Sequence, residues 1–188
     1  MKLDKLAKNI MDKQKKNIAL MGHMGSGKSV LGKLISKQLN FNHVDSDKLI
    51  EKKSNKTINE IFQTKGESYF RLIEENVILE TIYQKKLVLS LGGGSILSPK
   101  IRKALKGNFL TVFLDVDFAI LSKRLIKSKR RPLINDTNIE EKIKELDAIR
   151  RKFYLLADIT LKNHLTITDA FAEFRIKYIE FYEKYNSN

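Results

Sequence analysis

Short apolar segments alternate with longer amphipathic segments along most of this chain. The short segments predict buried strands at 17–22, 41–47, 87–91, 109–116 and 159–163. Apolar residues at helical spacing predict helices at 28–39, 48–63, 67–84, 118–127, 139–156 and 168–185. A break is expected at Gly66, and Pro99 suits the first turn of a further helix. This alternation predicts an α/β fold in which helices cover both faces of a parallel sheet.

The other segments bear on domain organisation. Residues 1–16 form a Lys-rich extension in which Leu3, Leu6 and Ile10 recur at helical spacing. Residues 17–188 contain no internal repeat and no linker, so we expect them to form a single domain. The polar and charged stretch 128–138 is predicted to be a loop.

The composition excludes several kinds of site. The 188 residues include no cysteine, which rules out disulfides, zinc–thiolate sites and cysteine nucleophiles. The sequence has no apolar run long enough to span a membrane and no secretory signal, so we expect a cytoplasmic protein.

The net charge of +14 has three interpretations: attraction to nucleic acid, a cleft for anionic ligands, or lysines spread over a solvated surface. Lysines occur along the whole chain and do not form one block with interleaved aromatic residues. This distribution favours the last interpretation.

A phosphate-binding motif follows the first predicted strand. Residues 22–29 are Gly-His-Met-Gly-Ser-Gly-Lys-Ser, which match G-x-x-x-x-G-K-[ST]. The backbone N–H groups of such a loop surround a phosphate, and its glycines allow the close approach. Lys28 is predicted to reach the β- and γ-phosphates, and the Ser29 hydroxyl to coordinate Mg²⁺. The strand before the loop and the helix after it complete the context of an ATP·Mg²⁺ site.

The segments that accompany this loop favour a small-molecule kinase. Asn55-Lys56-Thr57-Ile58 begins like the guanine-reading motif N-K-x-D but lacks its aspartate, which argues against a GTPase. The chain is also short for a motor or helicase core. A small-molecule kinase needs a second anion site, a carboxylate near magnesium and a cationic lid that excludes water.

Three aspartates at strand ends are candidates for that carboxylate. Asp45 and Asp47 end the second predicted strand, where their i, i+2 spacing places both carboxylates on one face. The alternative is that one of them caps the helix that follows. Asp115 ends the fourth strand and competes with them as the magnesium acid.

Arg71 shares a predicted helix with Glu67, Glu74 and Glu75. The spacing by itself favours ion pairs on an exposed helix face. The functional alternative is that Arg71 faces a cleft and binds a substrate carboxylate with two hydrogen bonds, held in place by Glu67 or Glu74.

Three later segments are further candidates for ligand binding. Gly92-Gly93-Gly94 directly follows the third strand, which favours close backbone contact with a substrate over a flexible turn. Arg131 ends a charge run before Pro132, and an arginine in a mobile loop can move onto a transferring phosphoryl group. Arg150-Arg151-Lys152 are typical of a solvated helix face, or include a second substrate clamp.

Taken together, these motifs resemble those of the shikimate kinase family, in the family's order along the chain. They are G-x-M-G-S-G-K-S at 22–29, D-S-D at 45–47, I-F at 61–62, G-E-x-x-F-R-x-x-E at 66–74, the glycines at 92–94, R-P-L at 131–133, and R-x-x-x-Y with Ala and Asp at 150–158. The resemblance covers roughly residues 17–180.

The resemblance implies a fold and an activity. The fold would be a three-layer α/β/α P-loop fold, like that of nucleoside monophosphate kinases, with a five-stranded parallel sheet and a mobile lid at about 126–138. The activity would be transfer of the ATP γ-phosphoryl group to the 3-hydroxyl of shikimate, in the route to chorismate and aromatic amino acids, with ATP and Mg²⁺. We expect shikimate as the substrate, a monomer, and neither nucleic acid nor a membrane as a partner.

The resemblance also implies residue roles. Asp47 would bind the substrate hydroxyls and act as base, while Lys28 and Arg131 would act on the transferred group. Ser29 would bind magnesium directly and Asp45 through water. The implied shikimate contacts are Asp47, Arg71, Gly92, Gly93, Gly94 and Arg150. The implied nucleotide contacts are Gly25, Ser26, Gly27, Lys28, Ser29, Val30 and Arg131.

Some positions depart from the family pattern. Val30 stands where the family more often has threonine, and Lys152 where it usually has proline. The choice of Arg150 over Arg151 therefore rests on its spacing from Tyr154. No residue is assigned to the adenine, and two alternatives stay open: a related gluconate or nucleotide kinase, and a basic nucleic-acid-binding module with a vestigial P-loop.

Overall fold

Five parallel strands form one sheet in the computed structural model, which describes residues 16–127, 139–162 and 166–186. The strands are β1 (Asn17–Met21), β2 (Asn42–Asp45), β3 (Leu87–Ser90), β4 (Phe109–Asp115) and β5 (Ile159–Lys162). Their order in the sheet is β2-β3-β1-β4-β5, and all four pairings are parallel. The five predicted strands and the predicted parallel sheet are thereby confirmed.

Helices connect these strands and cover both faces of the sheet. They are α1 (Lys28–Leu39), α2 (Ser46–Ser54), α3 (Ile58–Thr81), α4 (Pro99–Leu105), α5 (Phe118–Lys127), α6 (Ile139–Tyr154) and α7 (Ile167–Asn186), with a 3₁₀ helix at Ser95–Leu97. None of the helices in the described ranges is long and apolar enough to cross a membrane.

The alternating side chains of the strands build two apolar layers. Ile18 and Leu20 of β1 point to one face, where they pack with Leu31 and Ile35 of α1 and with aromatic side chains of α7. Ala19 of β1 lies in the layer on the other face, which contains side chains of α3, α4 and α6. Because both faces are covered, the central strands are apolar throughout, as in other parallel sheets.

The predicted single helix over 48–63 is wrong, because the chain turns between α2 and α3. Asn55 adopts a left-handed conformation with φ 49° and ends α2. Thr57 then caps α3: its side chain accepts from the Glu60 N–H, and the Glu60 carboxylate accepts from the Thr57 N–H. This capping box, T-x-x-E, was present in the sequence as a helix start signal. The break expected at Gly66 is confirmed as a kink within α3, at φ 80° and ψ 173°.

The start of α2 also corrects the placement of two aspartates. Strand β2 ends at Asp45, and Asp47 lies in the first turn of α2 instead of on the strand. The prediction that both carboxylates share one strand face is therefore wrong. The capping alternative is correct for Asp45, whose Oδ1 accepts from the Lys48 N–H at 3.2 Å.

Candidate active site

The phosphate loop joins β1 to α1 at the carboxyl edge of the sheet. The Lys28 ammonium group lies inside it and donates to the carbonyl oxygens of Gly22 at 2.8 Å and His23 at 2.7 Å. Gly27 precedes α1 with φ 99° and provides no side-chain cap to the helix. The N-terminus of α1 therefore meets the loop without a capping side chain, and the positive end of the helix favours an anion there.

Ser29, the residue after Lys28, has a carboxylate partner. Its hydroxyl donates to Asp45 Oδ2, so Asp45 both caps α2 and contacts the serine proposed to bind magnesium. In the part of the chain that the structure describes, no group of three or more His, Cys, Asp or Glu residues could hold a metal by itself. A hydroxyl with one nearby carboxylate suits Mg²⁺, which keeps several waters and takes its other ligands from nucleotide phosphates.

Asp115, the competing magnesium acid, has another partner. Arg151 Nη2 lies 2.9 Å from Asp115 Oδ2, and Arg151 Nη1 lies 3.2 Å from Asp115 Oδ1. The hydrogen bonds to Asp115 are the main reason why the pKa of Arg151 is raised. The geometry therefore favours Asp45 over Asp115 for the proposed magnesium site, since Asp115 is paired with Arg151.

A cavity of about 250 Å³, here called the Arg71–Arg150 cavity, opens beside the phosphate loop. It brings together the residues that the sequence predicted for the substrate: Asp47, Arg71, Gly92, Gly93, Gly94 and Arg150. Sequence reasoning did not place other residues that line it, including Met24, Phe62, Phe70, Lys142 and Leu146. The cavity thus combines apolar walls with a few charged groups, as small-molecule sites do.

Arg71 forms the predicted ion pairs and also faces a cleft, as the functional alternative requires. Its Nη1 donates to Glu74 Oε2 at 2.7 Å, and its Nη2 donates to Glu67 Oε1 at 3.0 Å, while the guanidinium lines the cavity. Burial acts to lower the pKa of Arg71, but Glu74 and Glu67 outweigh it and raise this pKa. The ion pairs therefore hold a permanently charged guanidinium at the cavity wall.

The triple glycine allows charged side chains to pack against bare backbone. A Cβ atom on Gly92 would lie 2.6 Å from both Asp47 Oδ1 and Glu74 Oε1. A Cβ atom on Gly94 would overlap the Arg71 guanidinium. Any side chain at these two positions would have to displace the carboxylates or the guanidinium.

Arg150 and Arg151 point in different directions from α6. Arg150 lines the cavity, whereas Arg151 pairs with Asp115. The Tyr154 hydroxyl donates to the Gly93 carbonyl oxygen at 2.5 Å, and burial raises the pKa of Tyr154 to about 12. Arg150, which the sequence analysis chose because it lies four residues before Tyr154, is therefore the arginine of the two that faces the cavity.

On the other side of the phosphate loop lies an apolar cavity of about 370 Å³. Its lining includes Gly25, Ser26, Gly27 and Val30, all predicted nucleotide contacts, together with Ile167 of α7. Sequence reasoning missed Arg124, which lines this cavity and donates from Nη1 to the Gly25 carbonyl oxygen at 3.3 Å. Its signal was weak, since a single arginine on an amphipathic helix is usually solvated.

One predicted site residue cannot be placed. Arg131 and the predicted loop 128–138 lie outside the described residues, as do residues 1–15 of the N-terminal extension.

The family model described as shikimate kinase matches residues 24–179. The chain belongs to the shikimate kinase family. It is 43% identical to a shikimate kinase of Sulfurihydrogenibium sp., over 78% of this chain and 87% of the relative. It is 38% identical to one of Bartonella henselae, over 88% of this chain and 79% of the relative.

A solved structure agrees with this family assignment. The shikimate kinase from Acinetobacter baumannii in complex with shikimate matches with a TM-score of 0.83 at 32% identity, covering 93% of this chain and 97% of that one. The predicted family, P-loop fold and ATP- and Mg²⁺-dependent shikimate kinase activity are confirmed. The alternative of a gluconate or nucleotide kinase is set aside.

Proposed function

We propose that this kinase transfers the ATP γ-phosphoryl group to the 3-hydroxyl of shikimate across the boundary between the phosphate loop and the Arg71–Arg150 cavity. One observation carries the proposal. A Cβ atom on Gly93 would lie 3.4 Å from Arg150 Nη1, 3.4 Å from the Gly22 carbonyl oxygen and 3.5 Å from the Met24 backbone nitrogen. The carboxylate-binding cavity and the phosphate loop are thus separated by the width of one glycine, as direct transfer between two bound substrates requires.

The phosphate loop supplies the donor side of the site. Its backbone N–H groups and the Lys28 ammonium would hold the β- and γ-phosphates, with Lys28 exchanging its carbonyl partners for phosphate oxygens. Ser29 would be a magnesium ligand and Asp45 would support it through water. Bound magnesium supplies positive charge that offsets the negative charge on the phosphates. The apolar cavity beside Val30 and Arg124 would take the nucleoside.

The Arg71–Arg150 cavity supplies the acceptor side. Arg71 and Arg150 would bind the shikimate carboxylate, and the backbone of Gly92–Gly94 would contact the ring. Asp47 would orient the reacting hydroxyl and accept its proton as the new oxygen–phosphorus bond forms and the bond to ADP breaks. Phosphoryl transfer depends mainly on positioning and charge stabilisation, so Asp47 need not be a strong base.

Steady-state assays of four variants test these roles. Lys28→Ala and Asp47→Asn should each lower kcat by at least about a hundredfold, since a positioned charge or proton acceptor contributes that much. Arg71→Lys should raise the KM for shikimate and spare the KM for ATP, because it removes the planar fork. Glu80→Ala, which breaks an exposed ion pair on the same helix as Arg71, is the control and should resemble wild type. ATP turnover with another hydroxy compound but not with shikimate would contradict the proposal.

The wider organisation of the enzyme is also a proposal. We infer that residues 17–188 form one kinase domain after the extension 1–16, and that Arg131 closes on ATP from a lid at about 126–138. Such a lid meets the need to exclude water during transfer. We further infer a cytoplasmic monomer that does not bind nucleic acid. Size-exclusion chromatography and filter binding of DNA at two salt concentrations test this, since non-specific binding would weaken steeply with salt.

A further inference from the structure

A buried hydrogen bond joins the phosphate loop to helix α6. His23 Nε2 lies 2.8 Å from Asp147 Oδ1, and the two side chains are 7% and 8% exposed. His23 belongs to the loop itself, because its carbonyl oxygen accepts from the Lys28 ammonium. The backbone of one residue thus shapes the loop, while its side chain holds a helix more than a hundred positions away in sequence.

The surroundings of His23 define the protonation of this contact. The imidazole packs edge-on against the rings of Tyr154 and Phe118, with centroids 5.3 Å and 6.5 Å away. Burial lowers the pKa of His23, although Asp147 acts in the opposite direction. The ring is therefore neutral near pH 7, and facing a carboxylate it carries its proton on Nε2 and donates it to Asp147.

Helical geometry connects this contact to Arg150. Asp147, Arg150 and Tyr154 are spaced i, i+3 and i+7, so they lie along one face of α6. Asp147 binds the loop after β1, and Tyr154 binds Gly93 in the loop after β3. Arg150 lies between these two attachments and lines the substrate cavity. The helix is thus fixed on both sides of the arginine.

We propose that His23 and Asp147 form a positioning pair that sets the placement of Arg150 relative to the phosphate loop. The inference rests on the proposed role of Arg150 in binding the shikimate carboxylate. The loop is anchored at both ends by β1 and α1, so loss of the pair displaces α6 more than the loop. The effect should therefore fall on shikimate binding before it falls on ATP binding.

Kinetic comparison of paired variants tests this. Asp147→Ala and His23→Leu should each raise the KM for shikimate by about tenfold, within the hundredfold that a 1 Å misplacement can cost, with less change in the KM for ATP. The double variant should be no worse than Asp147→Ala alone, because that change already removes the contact with His23. Lys144→Ala breaks an exposed Glu140–Lys144 pair on the same helix and should leave both KM values unchanged.

A conservative variant separates positioning from general stabilisation. His23→Gln retains an N–H that can reach Asp147, so it should recover a shikimate KM within about threefold of wild type, since a retained hydrogen bond loses little. If both His23 variants lower the melting temperature but leave the shikimate KM unchanged, the pair is merely structural and the inference is wrong. Should Asp147→Ala not fold, the comparison of His23→Leu with His23→Gln still decides it.

Arg150→Gln serves as the reference for the proposed function. If this variant itself leaves the shikimate KM unchanged, the role of Arg150 is wrong. If it raises the shikimate KM while Asp147→Ala and His23→Leu do not, only the positioning inference fails.

Discussion

Two neighbouring arginines on α6 offer a sharp test of the site, because they differ in what they contact. Arg150 lines the proposed substrate cavity beside Arg71, whereas Arg151 pairs with Asp115 outside it. Replacing each by glutamine removes the charge and keeps most of the length. The pair is internally matched, since both changes fall on the same turn of the same helix.

The expected effects can be estimated from these contacts. A hydrogen bond to a charged group contributes about 1.5–3 kcal/mol, so Arg150→Gln should raise the KM for shikimate by roughly 10- to 150-fold. The Arg151 side chain is 40% exposed and its partner Asp115 does not line the cavity, so loss of this pair should affect stability more than shikimate binding. Its 3.4 Å contact with Asp147 is weak, so Arg151→Gln should change the shikimate KM by no more than about twofold.

A coupled assay of ADP release measures both variants, with shikimate varied at saturating ATP and then ATP varied at saturating shikimate. Denaturant unfolding of each variant shows whether a kinetic change comes from lost stability. The assignment of Arg150 is refuted if Arg151→Gln raises the shikimate KM more than Arg150→Gln does. It is also refuted if the two variants behave alike while remaining equally stable.

Three further outcomes follow from the structure. Asp45→Asn should increase the Mg²⁺ concentration for half-maximal activity by roughly 10- to 100-fold, and Ser29→Ala by at least as much, as measured by Mg²⁺ titration of the rate. Gly92→Ala should lower the free energy of unfolding in urea by about 1–3 kcal/mol, because its Cβ would crowd two carboxylate oxygens. Burial lowers the pKa values of His23 and His43 below 6.5 in the folded state, so the unfolded chain binds protons first as the pH falls. The contribution of these two histidines to stability should therefore be fully present above about pH 7 and be lost progressively below about pH 6.5, and a urea midpoint that does not decrease there would contradict this.

The sequence predicted the parts of the fold that depend on local periodicity. Apolar runs located all five strands, and the helical spacing of Leu31 and Ile35 located α1, because burial of one face leaves a repeating pattern. The division between α2 and α3 was missed because it depends on a left-handed Asn55 and a cap at Thr57, which interrupt the chain without interrupting the apolar pattern. Asp47 was misplaced for a separate reason: β2 ends at Asp45, which caps α2, so the helix begins at Ser46 and not at the predicted residue 48.

The site was predictable where its contacts are local and hidden where they are not. The phosphate loop and the Arg71–Glu74 pair follow from spacing within a few residues. The contacts of His23 with Asp147 and of Arg151 with Asp115 join residues far apart in sequence. They arise from the packing of α6 against the carboxyl edge of the sheet, which one sequence does not encode as a local pattern.

The charges that line the Arg71–Arg150 cavity have a consequence for the proposed turnover. In the part of the chain that the structure describes, its lining holds three carboxylates and three cationic groups: Asp47, Glu67, Glu74, Arg71, Lys142 and Arg150. The strong basicity of the whole chain is therefore not concentrated at this cavity, which is close to electrostatic neutrality. Such a cavity accommodates an acceptor with one negative charge, but its described lining offers no surplus of cations for the additional charges of a phosphate ester. Repulsion from these carboxylates would favour departure of the phosphorylated product once ADP and its metal have left.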